Sequence, residues 1–402
     1  MKGIHKIKGI VRNYPWGGFT YIPQLLNQSS PSSEPCAEYW MGAHDSAPAE
    51  FVESDTESKN LAEAISANPL ETLGEKVADR FGRLPYLMKV LDVKDMLSIQ
   101  VHPTQKAAEA GFKEENDKGI PLNAAHRNYK DDNHKPELML ALSKFWLLHG
   151  FQQPKAVANL LETRHCYQPM LKILSESGLR DLFIWAISAP ESETKAITAS
   201  LLETLEKQPP SDKSHPEYWI YKWTRDPEAT HKGLLVILLM NVMHVEPGEA
   251  VFQGAGIPHA YLEGQNIEIM ANSDNVLRGG LTPKHMDAEE LVKHTLFDPI
   301  DPTQSIIAPL FITDQEHSFP APVEDFILSE IQLNPGESVE LNCKSVEIFL
   351  CLKGESQFKN PSNEPGVGLV KGEVCVGYHG TNTIVSAESR SARLFRARVN
   401  LR

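Results

Sequence analysis

A glutamine and a histidine stand two residues apart in the segment LSIQVHPTQ, at Gln100 and His102. In an extended strand, residues i and i+2 project from the same face, so both side chains can reach one point. Ser98 shares their parity, while Leu97, Ile99 and Val101 fall on the opposite, apolar face. Two more groups with ligand chemistry sit in strand-like runs: Glu137 in NHKPELMLAL and His259 in GAGIPHAYLEG. Glu137 has the parity of Met139 and Ala141, opposite Leu138, Leu140 and Leu142; His259 has that of Tyr261 and Glu263. An amide oxygen, two imidazoles and a carboxylate form a mixed donor set that suits zinc, an ion with no redox chemistry of its own. Spacing alone does not make this specific, because fifteen histidines in 402 residues produce many accidental pairs.

The elements that must position these groups are mostly strands. Up to about residue 150, short apolar runs such as LPYLMKVLDV and KPELMLALS alternate with turns rich in Pro, Gly and Asn. One helix is expected there, with Thr104 as its N-cap and Gly111 placed to end it. From Gln153 to Lys232 the apolar spacing is near 3.6, which predicts helices around a loop at Pro209–Trp219. Strands are expected again from Leu234, with GLLVILLMNVM read as a buried one. The last ninety or so residues read as short, Gly-punctuated antiparallel strands. The division this implies is a β domain from 1–150 and 234–310, a helical insertion at 151–233, and a second β domain at 311–402.

A net charge of −14 argues against sequence-independent nucleic-acid binding, although a local cationic pocket for a small anion remains compatible with it. Five scattered cysteines without a CxxC spacing suggest free thiols in a reducing compartment. The start, MKGIHKIKGIVRNYPWGG, holds no apolar run that could serve as a signal-peptide core, and the longest apolar stretch is too short to span a bilayer, so a cytoplasmic protein is expected.

The segments IQVHP, HKPE, GIPHAYL and IMANSDNVLRGGLTPK, together with NYPWGG and EYWMGAHDSAPA, resemble the signature segments of type I mannose-6-phosphate isomerase, in order from about residue 10 to 290. The resemblance implies a bicupin fold, two jelly-roll β-barrels with an inserted helical domain, and one zinc ion per chain. It carries the zinc ligands to Gln100, His102, Glu137 and His259, and the active-site arginine to Arg278. Asp45 is a local departure, outside the ligand set. The C-terminal β domain offers no matching ligand set, so it is expected to be metal-free, with His379 structural.

The reaction the resemblance implies moves a proton between C2 and C1 of a sugar phosphate through an enediolate. It needs a proton-transfer group, positive charge near O1 and O2, and a phosphate anchor. Arg278 stays protonated and is assigned electrostatic stabilisation. Lys135 and Lys89 are the candidate proton-transfer groups, each expected to have a lowered pKa, Lys135 beside a dication and Lys89 through burial. His134 and Asp274 remain alternatives for that role. Trp16, Ser98, Tyr261, Glu268, Asp274 and Lys284 are expected to contact substrate, Lys284 at the phosphate. A mononuclear cupin dioxygenase and a non-catalytic sugar-phosphate-binding protein are the competing readings; Gln100 in place of a first histidine disfavours iron chemistry. The expected partner is a small sugar phosphate, with no nucleic acid and no membrane, and the chain is expected to be a monomer.

Overall fold

The computed structural model describes residues 3–52, 58–225, 232–359 and 366–401. In chain order the first strands are β1 (Ile4–Lys8), β2 (Ile10–Arg12), β3 (Glu38–Gly42), β4 (Glu50–Phe51), β5 (Tyr86–Val93) and β6 (Ile99–Val101). They are followed by β7 (Glu137–Ala141), β8 (Phe145–Phe151), β9 (Met240–Val245), β10 (Ala250–Gln253), β11 (His259–Ala271), β12 (Leu277–Gly280) and β13 (Ile306–Ile307). The fold is mainly β with a helical segment. β2, β3 and β5 to β13 form an eleven-stranded sheet; β1 and β4 instead join six later strands in an eight-stranded one.

The thirteen-residue β11 organises the larger sheet. Its first half pairs with β6 and β8, its second half with β5 and β7. Between these halves the ladder with β8 slips, at Tyr261 and Glu263. Leu262 and Glu263 therefore follow one another on the outer side: Leu262 enters the core beneath the helices, and Glu263 pairs with Lys213 and with Lys222, the latter at 2.8 Å. The expected common face of His259, Tyr261 and Glu263 is thus broken at Glu263. Beyond the slip, even-numbered residues take over the inward positions that odd-numbered ones held before it.

The alternation of the strands fixes which side is apolar. Tyr39, Met41, Met88, Val90, Leu138, Leu140, Ile267 and Ile269 pack in one core with Leu328, Ile348, Leu350, Phe395 and Ala397 of the eight-stranded sheet. The opposite face of the same strands carries Glu137, Glu268, Lys89 and Trp40, linked across the ladders. Each buried aliphatic side chain contributes roughly 1.5–3 kcal/mol. A one-residue slip would drive the charged set into that core, so the register is tightly specified.

The helices Pro154–Leu161, Gln168–Ser188, Glu191–Lys207 and Pro216–Thr224 occupy the expected helical stretch; residues 226–231, near its end, lie outside the described residues. Five local expectations change. Four short helices, Tyr21–Leu25, Leu61–Ala67, Pro69–Leu73 and Glu75–Phe81, precede the single one expected before residue 150, and Pro216–Thr224 opens inside the stretch read as a loop at Pro209–Trp219. Leu234–Leu239 is a 3-10 helix rather than a strand, and the ladder resumes only at Met240. All six of its side chains are buried, a run of contacts that a strand with one face toward the sheet interior would not give. The helix capped by Thr104 continues through Gly111 to Asp117. Gly111 is there for close approach, since a Cβ would lie 2.2 Å from the Tyr129 ring. Leu97 leaves the side of Ile99 and Val101 and packs with Tyr261, because the ladder begins only at Ile99. Among the described residues no helix is long and apolar enough to cross a membrane.

Gly264 follows the slip in β11 with φ of 130°, and a Cβ there would sit 2.7 Å from the carbonyl oxygen of Lys144. Gly264→Ala is expected to cost roughly 1–3 kcal/mol through strain and backbone displacement. Thermal melts should show a melting temperature several degrees lower; an unchanged value would remove the slip from its place in the fold.

Candidate active site

Cross-strand pairing sets four side chains in one row. Arg278 of β12 is paired with Gln100 of β6, Gln100 with His259 of β11, and His259 with His149 of β8. Directly opposed residues in an antiparallel ladder share a face, so all four look into the same interior. His102 leaves β6 two residues after Gln100, and Glu137 enters from the start of β7.

His102, Glu137 and His259 converge, all essentially inaccessible to solvent. One ligand atom from each lies within 4.8 Å of the others, the only such His, Cys or carboxylate group among the described residues. His102 Nε2 is 3.3 Å from Glu137 Oε1, and His259 Nε2 is 3.3 Å from Glu137 Oε2. The second nitrogens are committed elsewhere: His102 Nδ1 lies 2.8 Å from the Asn275 carbonyl, His259 Nδ1 2.9 Å from that of Ile257. A carbonyl only accepts, so each imidazole carries its proton on Nδ1 and aims an Nε2 lone pair inward. Both Nε2 atoms and Glu137 Oε2 are buried without a hydrogen-bond partner among the described residues. Donor atoms around a tetrahedral zinc with bonds of about 2.0–2.1 Å stand roughly 3.3 Å apart. The three residues therefore fit such an ion, with Gln100 beside His259 as a further oxygen donor.

Electrostatics agree with that reading. Burial pushes the His102 imidazolium pKa down to about 4, and that of His149 to about 3, so both rings are neutral at pH 7. Burial would raise the Glu137 carboxyl, but Lys135 and His102 outweigh it and hold it well below its usual range. Lys135 Nζ lies 3.1 Å from Glu137 Oε1.

Lys89 is buried as expected, yet its pKa moves the other way. Burial alone would lower it, but Glu38, Glu268 and Glu137 surround it and keep it well above the ordinary lysine value. Its Nζ lies 3.1 Å from Glu268 Oε1, 3.7 Å from Glu38 Oε2 and 5.0 Å from the centroid of Trp40. Tyr261 donates to Glu268 Oε2 at 2.8 Å and faces Gln253 at 3.4 Å. Arg278 is half-buried, and among the described residues no carboxylate lies within 4 Å of it. Ser98 is half-buried beside Gln100, and Lys284 is exposed two residues beyond Thr282, whose hydroxyl accepts its backbone N–H at 3.1 Å.

Other expected residues sit at the margin. Trp16 is half-buried, stacks on Tyr14 and packs against the cluster around Tyr261. Asp274 is exposed, its carboxylate 3.4 Å from His44 Nε2. His134 is turned toward Asp325, at 3.0 Å. His379 meets the Lys344 carbonyl on the surface. Glu38, Trp40, His149 and Gln253 were missed. Glu38 and Trp40 alternate in EYWMG and were legible as one strand face; His149 and Gln253 become visible only through register with His259 and Glu137.

Comparison with known proteins decides the family. The chain is 37% identical over 398 residues to mannose-6-phosphate isomerase from Salmonella typhimurium, covering 98% of this chain and 99% of that protein. The chain belongs to the type I phosphomannose isomerase family. The family model of the type I phosphomannose isomerase catalytic domain matches residues 4–154. The human mannose-6-phosphate isomerase is 28% identical over 419 residues, covering 96% of both chains. A zinc-bound crystal structure of mannose 6-phosphate isomerase aligns with a TM-score of 0.87 at 36% identity, covering 99% of this chain and all of that one.

Two measurements follow from this phosphomannose isomerase site. His259→Ala and Gln100→Ala should each lower bound zinc well below one ion per chain by elemental analysis, with circular dichroism unchanged; full occupancy in both variants would remove them from the ligand set. In the metal-free chain, His102 and His149 have depressed pKa values in the folded state, so the stability they contribute is complete above about pH 6.5. It should fall by a few kcal/mol as pH drops toward 4 and 3, when unfolding relieves the cost of charging buried rings. Denaturant melts of the chelated chain across that window, compared with His149→Gln, measure it.

Proposed function

We propose that this chain is a zinc-dependent aldose–ketose isomerase interconverting D-mannose 6-phosphate and D-fructose 6-phosphate. The observation that carries the reading is the buried His102–Glu137–His259 set with three unsatisfied donor atoms, placed on the same sheet face as an arginine without a carboxylate partner. When bound, zinc supplies positive charge for the sugar O1 and O2 without electron exchange, held by Gln100, His102, Glu137 and His259.

The remaining roles fall to this chain's own side chains. Arg278 keeps its proton and offers its donors to the negative charge that develops on the enediolate oxygens. Lys89, fixed by Glu268 and Glu38, remains an ammonium and acts by charge and hydrogen bonding. Lys135 therefore takes first place for moving the proton between C2 and C1. Glu268 and Tyr261, bonded to one another, orient Lys89 and border the sugar. Lys284 and Ser98 bind the phosphate, while Trp16 and Asp274 line the entrance.

The finer architecture belongs to the same proposal: a bicupin of two jelly rolls, a catalytic unit at 1–150 and 234–310, a helical insertion at 151–233 and a metal-free unit at 311–402. The packing of the four-stranded sheet on the eight-stranded one across the Phe349–Phe358 core supports a second sandwich. A small sugar phosphate as sole partner, a monomer, no nucleic acid and a cytoplasmic site complete the reading; the net charge of −14 and the absence of a membrane-length helix among the described residues support it.

A coupled assay for fructose 6-phosphate formed from mannose 6-phosphate tests this directly. Activity should vanish on chelation and return with zinc; turnover after verified metal removal would sink the zinc-centred mechanism. No turnover in a folded, zinc-loaded sample would favour the binding-protein reading, and oxygen uptake the dioxygenase. Arg278→Ala should keep its zinc and lose roughly 10²–10³ in kcat; loss of zinc from that variant would contradict the role given to Arg278.

A further inference from the structure

The eight-stranded sheet carries a polar corner that the isomerase reading does not use. Strands Glu316–Phe319, Ile327–Leu333 and Ala392–Arg398 lie side by side in it, and their ladders set Ser318 opposite Ser329 and Ser329 opposite Arg396. Arg398 follows two residues after Arg396, on the same face. That face also bears Ile331, Leu394 and Phe349, which pack toward the four-stranded sheet. The corner is therefore interior to the C-terminal sheet pair.

The two arginines there are in opposite states. Arg396 is spent: Nη1 donates to Glu316 at 3.0 and 3.2 Å, and Nε to Glu347 at 2.7 Å. Arg398 makes one marginal contact, from Nη2 to Ser329 Oγ at 3.4 Å. Its Nε is shielded from solvent and has no hydrogen-bond partner among the described residues. Among the described residues no carboxylate lies within 4 Å of it. Ser318 is 1% exposed, and its hydroxyl also has no partner among the described residues. An orphaned buried donor costs roughly 1–3 kcal/mol, more when charged, so native structures rarely leave two of them in one corner. The open Nε–Nη2 edge of a guanidinium is the edge that grips a carboxylate or phosphate with two parallel hydrogen bonds. Arg398 itself is only partly buried, which leaves a way in.

We propose that Arg398, Ser318 and Ser329 form a second, non-catalytic binding site for a compact oxyanion, the phosphoryl or carboxylate group of a small metabolite. The site is independent of the zinc centre, and the hydrogen bonds of Glu316 and Glu347 are directed to Arg396 rather than into it.

The test uses the full, zinc-loaded chain. Calorimetric titration with inorganic phosphate should reveal two classes of site in the unaltered protein and one in Arg398→Gln, with kcat/KM for the isomerisation unchanged within about twofold. Ser318→Ala should weaken the second class about tenfold, and it keeps the proposal testable if Arg398→Gln fails to fold. Crystals soaked in selenate should show an anomalous peak within hydrogen-bond reach of Arg398 Nε. Parallel titration with acetate separates the sources: binding of phosphate alone identifies a phosphoryl ligand, binding of acetate at the same site a carboxylate. A single class of site in the unaltered protein, two classes retained in Arg398→Gln, or only a water-sized peak without anomalous signal would each overturn the proposal.

Discussion

The pocket depends on one irregular strand. β11 supplies His259 and Tyr261 before the slip at Leu262–Glu263, and Glu268 and Met270 after it. A regular strand would send the second pair to the opposite side, into the core shared with the C-terminal strands. The slip lets odd and even positions look into the same interior. It also lets a single strand pair with β6 and β8 at one end and with β5 and β7 at the other, so the donor row and the Lys89–Glu268 pair are fixed to one backbone. Gly264 makes this possible, because its positive φ and the closeness of the Lys144 carbonyl leave no room for a side chain.

Burying Glu137 and Lys89 in that interior is tolerated because each meets opposite charge. Glu137 faces Lys135 and two imidazoles, and Lys89 lies between Glu268 and Glu38. Trp40 donates from its indole to Glu38, while its ring borders both Lys89 and Arg12, at 5.0 and 5.1 Å. Such groups are costly to bury alone and acceptable when paired. The inward nitrogens of His102 and His259 are the exception. Backbone carbonyls hold their other nitrogens, which fixes ring and tautomer and leaves lone pairs directed at the centre of the cluster, the arrangement a cation requires.

The helical block contributes to the site indirectly. Ile99, Val101, Ala260 and Leu277 share a core with Phe183, Trp219 and the Leu234–Leu239 turn. The outer faces of β6, β11 and β12 are thereby pressed against helices, while their inner faces present Gln100, His259 and Arg278. Rigid backing of this kind holds ligands and an arginine in place without a ligand of its own.

Much of this was legible in the residues alone. Local parity on β5, β6 and β7 placed Lys89, Gln100 and Glu137 on the correct faces, because alternation follows from backbone geometry that every strand shares. Thr104 capped its helix for an equally local reason, its hydroxyl accepting the Ala107 N–H. What failed was whatever depended on contacts distant in sequence. The direction of the Lys89 pKa was set by Glu38 and Glu268, 51 and 179 residues away, which no neighbouring residue reveals. His149 entered the donor row only when β8 paired with β11, and Glu263 left its expected face only because the ladder slipped. The sequence by itself determined the chemical groups and the strand faces that carry them, since both are properties of short stretches. Tertiary structure decided which faces meet and which charges neutralise one another, because electrostatic energy in a buried site depends on distances that only the folded chain establishes.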